Sequence, residues 1–339
     1  GIIPNSCYNR DTISRSDNTP MKNYENLQIR PFHPTDHDYH ALIQMNRFRN
    51  PDEQLTLDLV RLEDAEFHEA FTAVRVLGEI DGQVVAQGSH YYEPGSKKIQ
   101  FAFYVVPAWQ ETAVPAQIHR YLLDEIAQLH PEKIVSEPPE NETFRTKLLE
   151  ADGFRLLMRF PRSALDVRQV QLADYANMLA TVQQQGIRFV TLTDVMQSDP
   201  EWQHNIWQLF TQIEQDIPTP HPEPPTPFAE YANYYRGDDF RPDSWAIAVD
   251  EQAGYVGMCV VNVMRKRPSG LFAGITGVIR SHRRRKIATA LKLCSIRYAQ
   301  ENGFTTIYTN NEENNPMFQL NLDLGFQPLP AWAYYEKTL

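Results

Sequence analysis

Six basic side chains and no acidic one fall within residues 278–292, in a chain whose formal net charge is -11. They are Arg280, Arg283, Arg284, Arg285, Lys286 and Lys292. The run leaves a strand-like segment, 271–278, and passes into helical spacing, with Ile287, Leu291, Cys294 and Tyr298 on one face. A helix start offers unpaired backbone N–H groups and the positive end of the helix dipole. Cationic side chains added there make a receptor for phosphate or pyrophosphate. A solvated basic face is the plainer reading. Nucleic acid fits less well, because no aromatic platform accompanies the cluster and the surrounding charge is acidic.

The elements that must position this turn read as alternating strands and helices. Strands are expected at 27–30, 73–80, 83–92, 99–106, 133–136 and 154–160, with helices at 37–48, 52–72, 112–128 and 141–151. Asp81-Gly82 between two strands signals a type I′ hairpin. Pro161-Arg162-Ser163 punctuates the pattern, which then resumes. Leu172, Tyr175, Leu179 and Val182 have helical spacing closed by Gly186, and 187–192 reads as a strand. Asp199-Pro200 opens a helix reaching about 216, and six prolines in 218–227 make an extended connector. Strands at 245–249, 255–263 and 271–278, a helix at 286–301, a strand at 305–309, a helix at 315–323 and a strand at 332–336 complete the chain.

The two stretches repeat one order. Gly153-Phe154 corresponds to Gly325-Phe326 at an offset of 172, and Val105-Val106-Pro107 to Val278-Ile279-Arg280 at 173. A duplicated α/β domain is expected, with mixed sheets, at 23–163 and 164–339. Residues 1–22 read as a disordered, tag-like extension.

The segment Val278-Ile279-Arg280-Ser281-His282-Arg283-Arg284-Arg285-Lys286-Ile287-Ala288 resembles the acetyl-CoA signature of the GNAT acetyltransferases, V-x-P-x-x-R/Q-x-x-G-x-G/A. Arg283 takes the R/Q position and Ala288 the G/A position; Arg280 replaces the proline and Lys286 the first glycine. Lysine keeps its N–H, so phosphate binding survives there if the turn has φ below zero. The family's second pattern, N-x-x-A-x-x-x-Y-x-x-x-G-F/Y, is met by Asn314, Gly325 and Phe326, with Met317 at the alanine and Asn321 at the tyrosine. The resemblance implies a tandem GNAT protein in which acetyl-CoA is held by Val278, Arg280, Arg283, Arg284, Arg285, Lys286, Ile287, Ala288, Thr289, Asn314 and Met317. It implies N-acetyl transfer to a primary amine, on a small molecule or a peptide, by direct attack on the thioester. No metal is called for. An amide at 321 is a poor general acid. Asn321, Tyr334 and Tyr335 are candidates for that step by position or type, and Glu230 and Asp216 are candidate bases by charge and location. A non-catalytic acyl-CoA-binding or regulatory module is the alternative that the missing tyrosine leaves open.

At the matching place in the first copy stand Gln110, Glu111, Thr112, Ala113, Val114 and Pro115, with Glu142 opposite Asn314. One carboxylate, no cation and a missing proline N–H make that copy a degenerate cofactor site. Elsewhere, His33, His37 and His40 have ligand-like spacing but read as surface histidines. The proline run reads as a substrate lid. Glu223, Glu230, Asp238 and Asp239 with Tyr231, Tyr234 and Tyr235 suit a cationic amine or are an ordinary polar loop. Three cysteines without a CxxC pair point to a reducing cytoplasm. No apolar run is long enough to span a bilayer. A monomer or homodimer without nucleic-acid or membrane partners is expected.

Overall fold

The helix and strand signals are realised close to where the spacing puts them. A computed structural model describes residues 26–221, 224–237 and 239–339. Cys7 and the expected extension at 1–22, as well as Glu223 and Asp238, lie outside the described residues. The first elements are β1 (Gln28–Pro31), α1 (Asp36–Arg49), α2 (Leu57–Ala70), β2 (Thr72–Ile80), β3 (Gln83–Tyr92) and β4 (Lys98–Val105). Then come α3 (Val114–Ala127), β5 (Lys133–Ser136), α4 (Thr143–Ala151), β6 (Arg155–Asp166), α5 (Ala176–Gln184), β7 (Ile187–Thr191) and α6 (Leu192–Ser198). The rest are α7 (Trp202–Glu214), α8 (Phe228–Tyr231), β8 (Trp245–Asp250), β9 (Gly254–Met264), β10 (Arg267–Val278), α9 (Ile287–Glu301), β11 (Thr306–Asn310), α10 (Pro316–Asp323) and β12 (Gln327–Thr338).

Two compact units result. One holds the residues up to Arg159 together with Pro330–Leu339, the other Phe160–Leu329. The first unit's strands run β1-β2-β3-β4-β5-β12 and the second's β6-β11-β10-β9-β8-β7. Each sheet is mixed: β4 pairs β5 in parallel, β10 pairs β11 in parallel, and the other pairings with printed register are antiparallel. The domains read from the sequence give each copy its own last strand. In the structure, the strand after α4 enters the second unit at Phe160, and the strand after α10 enters the first at Pro330.

The local chemistry explains the elements. Thr35 and Thr56 cap α1 and α2 by accepting from Asp38 N and Leu59 N. Asp81 and Gly82 have φ of 50° and 75°, the two positive values a type I′ turn requires. After α4 and α10, Gly153 and Gly325 adopt φ of 82° and 95°. There Phe154 N donates to Leu149 O at 3.0 Å and Phe326 N to Asn321 O at 3.1 Å, the same six-to-one closure twice.

Three local expectations are corrected. No break occurs at 161–163: β6 continues through Pro161, whose carbonyl accepts from Asn311 N at 3.0 Å and whose missing N–H removes only one ladder donor. The helix α6 was not foreseen, although Thr191-Leu192-Thr193-Asp194 forms a complete capping box at its start. Asp199 is not the cap of α7; Glu201 takes that place, while the Asp199 carboxylate accepts from Glu201 N, Asn205 and Tyr255.

In the first unit α3 packs Ile118, Leu122 and Ile126 against Phe101 and Phe103, and Ala333 and Tyr335 of the final strand join this core. In the second, α9 covers one sheet face with Ile287, Leu291 and Ile296, and α7 covers the other with Ile206, Leu209 and Ile213.

The tail therefore sets a test. Removing residues 330–339 strips the first unit of buried Ala331, Ala333, Tyr334 and Tyr335 and of the β5 pairing. Losing even one buried aromatic costs about 3–5 kcal/mol. Hydrogen exchange over β4 and β5 should rise to near the unfolded rate while α9 stays protected. Retained protection of β5 would contradict the assignment of the tail to the first unit.

Candidate functional site

The basic turn links the end of β10 to the start of α9. Pairing of β10 with β11 covers Gly270–Ala273 and Thr306–Thr309; β10 then bulges against β9 between Ala273 and Thr276 and runs on to Val278. The far part of β10 thus has no parallel neighbour among the described strands. This is the splayed crevice at which α/β sheets bind ligands.

What shapes the turn is a side-chain latch. Arg283 Nε donates to the carbonyl of Val278, five residues back, at 2.9 Å. A short 3-10 turn, Arg280–His282, fills the space between, with His282 N donating to Ile279 O at 3.0 Å. Arg284 and Lys286 follow with φ of 65° and 62°. The condition set for Lys286, φ below zero, is therefore not met. Lys286 has the backbone of the glycine it replaces, at a cost of about 1–2 kcal/mol for an L residue. A left-handed residue followed by the right-handed Ile287 aims successive N–H groups to one side, an anion nest. The amides of Lys286 to Thr289 have no acceptor among the described residues. This donor set suits a pyrophosphate.

The side chains divide into two classes. Arg280 Nε donates to the Asp216 carboxylate at 3.0 and 3.1 Å, and the Nη2 atoms of Arg280 and Arg283 bond it as well. Arg280, then Arg283, hold Asp216 below the ordinary carboxylate range. Arg285 donates to Gln185 Oε1 and to Gln185 O, both at 2.9 Å. Arg284 and Lys286 are exposed with no partner among the described residues. Val278 and Ile287 are buried beneath the turn, and Ala288 and Thr289 are half-buried in the first turn of α9. Lys292 is buried one turn further on, its Nζ 5.5 Å from the Phe326 ring, and desolvation lowers its pKa. The Asp216 pairing was invisible in the sequence, since its partners stand 64 and 67 residues away.

Asn314 and Met317 lie on another element of the same unit. Asn314 is exposed at the start of α10, its N and Nδ2 bonding Glu312 at 2.9 and 2.8 Å, and Met317 is half-buried. Asn321 is fully buried; its Nδ2 donates to Asn311 Oδ1 at 2.7 Å and its own Oδ1 has no donor. Glu230 is exposed on α8. Tyr334 is buried in the strand that belongs to the first unit.

On the acceptor side the expected polar loop is instead an aromatic layer. Tyr231 packs against Phe210 at 4.5 Å and Tyr235 at 5.5 Å, and is 2% exposed. Burial raises the pKa of Tyr231 and Tyr235. Asp239 pairs with Arg265. The connector is pinned at Thr226, whose N and Oγ1 donate to Glu214 at 3.0 and 2.6 Å and whose O accepts from Trp207 Nε1 at 2.8 Å. His33, His37 and His40 are exposed, and no metal-binding group occurs among the described residues.

The first unit repeats the latch and loses the nest. Gln110 Nε2 donates to Val105 O, again five residues back, at 2.8 Å, and Trp109 N donates to Val106 O at 2.9 Å. But Ala113 precedes α3 with φ -73°, Val114 N donates to Thr112 Oγ1, and Pro115 has no N–H. The residues there do not fit a pyrophosphate.

Residues 206–326 match the acetyltransferase (GNAT) family. No curated protein matches the chain in sequence. Among solved structures, a GCN5-related N-acetyltransferase from Sphaerobacter thermophilus superposes with TM-score 0.70 at 16% identity, covering 93% of this chain and 96% of that one. A tandem GNAT protein from the clavulanic acid biosynthesis pathway gives 0.67 at 16%, covering 92% and 98%. A glucosamine N-acetyltransferase region of a fungal multi-domain β-N-acetylglucosaminidase gives 0.68 at 13%, covering 94% of this chain and 38% of that one. The second unit carries a GNAT acetyltransferase domain, the whole chain has the tandem GNAT fold, and the protein is an acyltransferase.

The left-handed lysine gives a stability test. Lys286→Gly should raise unfolding free energy by about 1 kcal/mol, by relieving the φ of 62°. Chemical denaturation measures it; a loss of stability would show that the lysine side chain holds the turn.

Proposed function

We propose that the second unit transfers an acetyl group from acetyl-CoA to a primary amine by direct attack. The observation that carries the reading is the turn itself: unpaired amides from Lys286 to Thr289, set by a latch at the end of a splayed strand and surrounded by five cations between Arg280 and Lys286. Acetyl-CoA supplies the thioester and the leaving thiolate. The chain's own tasks are to bind the phosphates, orient the amine, and stabilise negative charge on the thioester oxygen with N–H groups of β10 beyond Ala273.

Proton handling follows from what is and is not available. The amine must lose a proton to attack, and the departing thiolate must gain one. Asp216 is already engaged by two guanidiniums, so its carboxylate has little affinity for a proton. Glu230 is the exposed carboxylate of the acceptor side and our candidate base, directly or through water. Asn321 occupies the family's acid position as a buried spacer that fixes Asn311. Solvent then protonates the thiolate.

Thiol release from acetyl-CoA over a panel of amines tests this reading. Amine-dependent release is expected; tight CoA binding without release for any amine would favour a binding module. Asn321→Ala should lower turnover less than tenfold, below the ~10²-fold general acid catalysis typically supplies. A thousandfold loss in folded protein would make Asn321 a catalytic residue.

Calorimetry should count one acetyl-CoA per chain. Arg284→Ala and Lys286→Ala, which remove the two side chains free of protein partners, should each weaken binding roughly tenfold if each contacts phosphate. Arg283→Gln should bind better than Arg283→Ala, because glutamine makes the same latch at Gln110. A second site of equal affinity would overturn the reading of the first unit.

A further inference from the structure

The first unit keeps the splayed strands while losing the nest. Parallel pairing of β4 and β5 covers Lys98–Gln100 and Lys133–Val135; β4 then runs on to Val105 while β5 stops at Ser136. Strand alternation puts Gln100, Ala102 and Tyr104 on one face, opposite the Phe101 and Phe103 rings that pack on His119 of α3. Tyr91 is paired with Gln100 and Ser89 with Ala102. Glu137, two residues past Val135, joins this face at the end of β5. Continuing the register from Tyr335 and Ser136, supported by Ala333 N donating to Pro138 O at 2.9 Å, sets Tyr334 beside Glu137.

The centre of this face is a recess. Ser89 and Ala102 are small and half-buried in the middle of the sheet. Larger side chains rise around them. Tyr91 is walled by Phe67 at 5.0 Å and Phe71 at 5.5 Å, and donates to Gln100 Oε1 at 2.6 Å. Tyr104 lies under the Arg49 guanidinium at 5.5 Å. Arg49 is itself drawn to Glu142 at 3.4 Å.

Glu137 is the anomaly. Its carboxyl is shielded enough that burial pushes it up to about 7, with only Lys98 acting against that. No hydrogen bond contributes to its titration. A shielded carboxyl without a donor or a paired cation is costly, and titratable groups so placed cluster at functional sites. The groups around it are aromatic faces and acceptors, which together with a carboxylate recognise an organic cation.

We propose that this recess is a second ligand site, within the first unit alone, for a small molecule bearing an ammonium group on an apolar or aromatic body. Glu137 receives the ammonium, Tyr91 and Tyr104 flank the body, and Ala102 and Ser89 form the floor.

Hydrogen exchange of the full chain, without acetyl-CoA, tests it with 2-phenylethylamine at millimolar concentration and 2-phenylethanol as the uncharged control. The amine should slow exchange in peptides over residues 86–104 and 133–140, and the alcohol should not. Glu137→Gln keeps the shape and removes the charge, and should weaken the effect roughly tenfold. Ala102→Met keeps the carboxyl and fills the floor, and should abolish the effect. The proposal is overturned if neither segment is protected, if the alcohol protects equally, or if Glu137→Gln leaves amine protection unchanged. Protection confined to peptides of the second unit would likewise reject it, and would leave the acyl-transfer reading standing.

Discussion

A strand that ends at a carbonyl and a helix that begins nine residues later need something to fix the intervening turn, and here one side-chain hydrogen bond does so. The carbonyl of Val278 accepts from Arg283, as that of Val105 accepts from Gln110. In both units the bond spans five residues, closes over a three-residue 3-10 turn, and leads into a helix at the same distance. Arginine and glutamine are interchangeable in this role because each presents an N–H at the end of a chain long enough to reach back. The residue that looks like a phosphate ligand in sequence is first of all a structural clamp. Its remaining guanidinium nitrogen then stays available for an anion, and Asp216 supplies one.

With the clamp constant, the two turns diverge through backbone conformation. In the second unit a left-handed residue precedes the helix and leaves its first amides unpaired. In the first, a right-handed alanine, a threonine hydroxyl and a proline consume or delete the equivalent donors. Charge follows the same division, with five cations on one side and Glu111 on the other. A fold can therefore be duplicated in hydrogen-bond detail and keep its anion site in one copy only, because the latch and the nest use different residues.

Much of this was legible in the sequence, and the reasons are local. Periodicity placed most of the elements, and the Gly-Phe pairs marked two helix ends that do share one closure. The basic run at a strand-to-helix junction identified the turn. What escaped depends on distant partners or on rules that override local signals. Pro161 reads as a breaker, yet a proline carbonyl still accepts in a ladder. The tyrosines at 231–235 read as a polar loop, because nothing local shows that α7 brings Phe210 against them. Glu137 carries no motif at all; only the register of three strands reveals a carboxyl facing aromatic rings.

The Asp216 pairing ties these strands of argument together in the second unit. Asp216 follows α7, the helix that carries the pinned connector, and its carboxylate holds two of the five cations of the turn. A phosphate arriving at the turn competes with that carboxylate for the same guanidinium nitrogens. Charge-assisted bonds on exposed groups are exchanged at little net cost, because one anion replaces another in similar surroundings. Filling the nest thus loosens the end of α7 just where the connector begins, while Glu214 and Trp207 still hold Thr226 further along. The cofactor turn and the acceptor side are in this way parts of one electrostatic circuit, and Asp216 is better understood as its switch point than as a base.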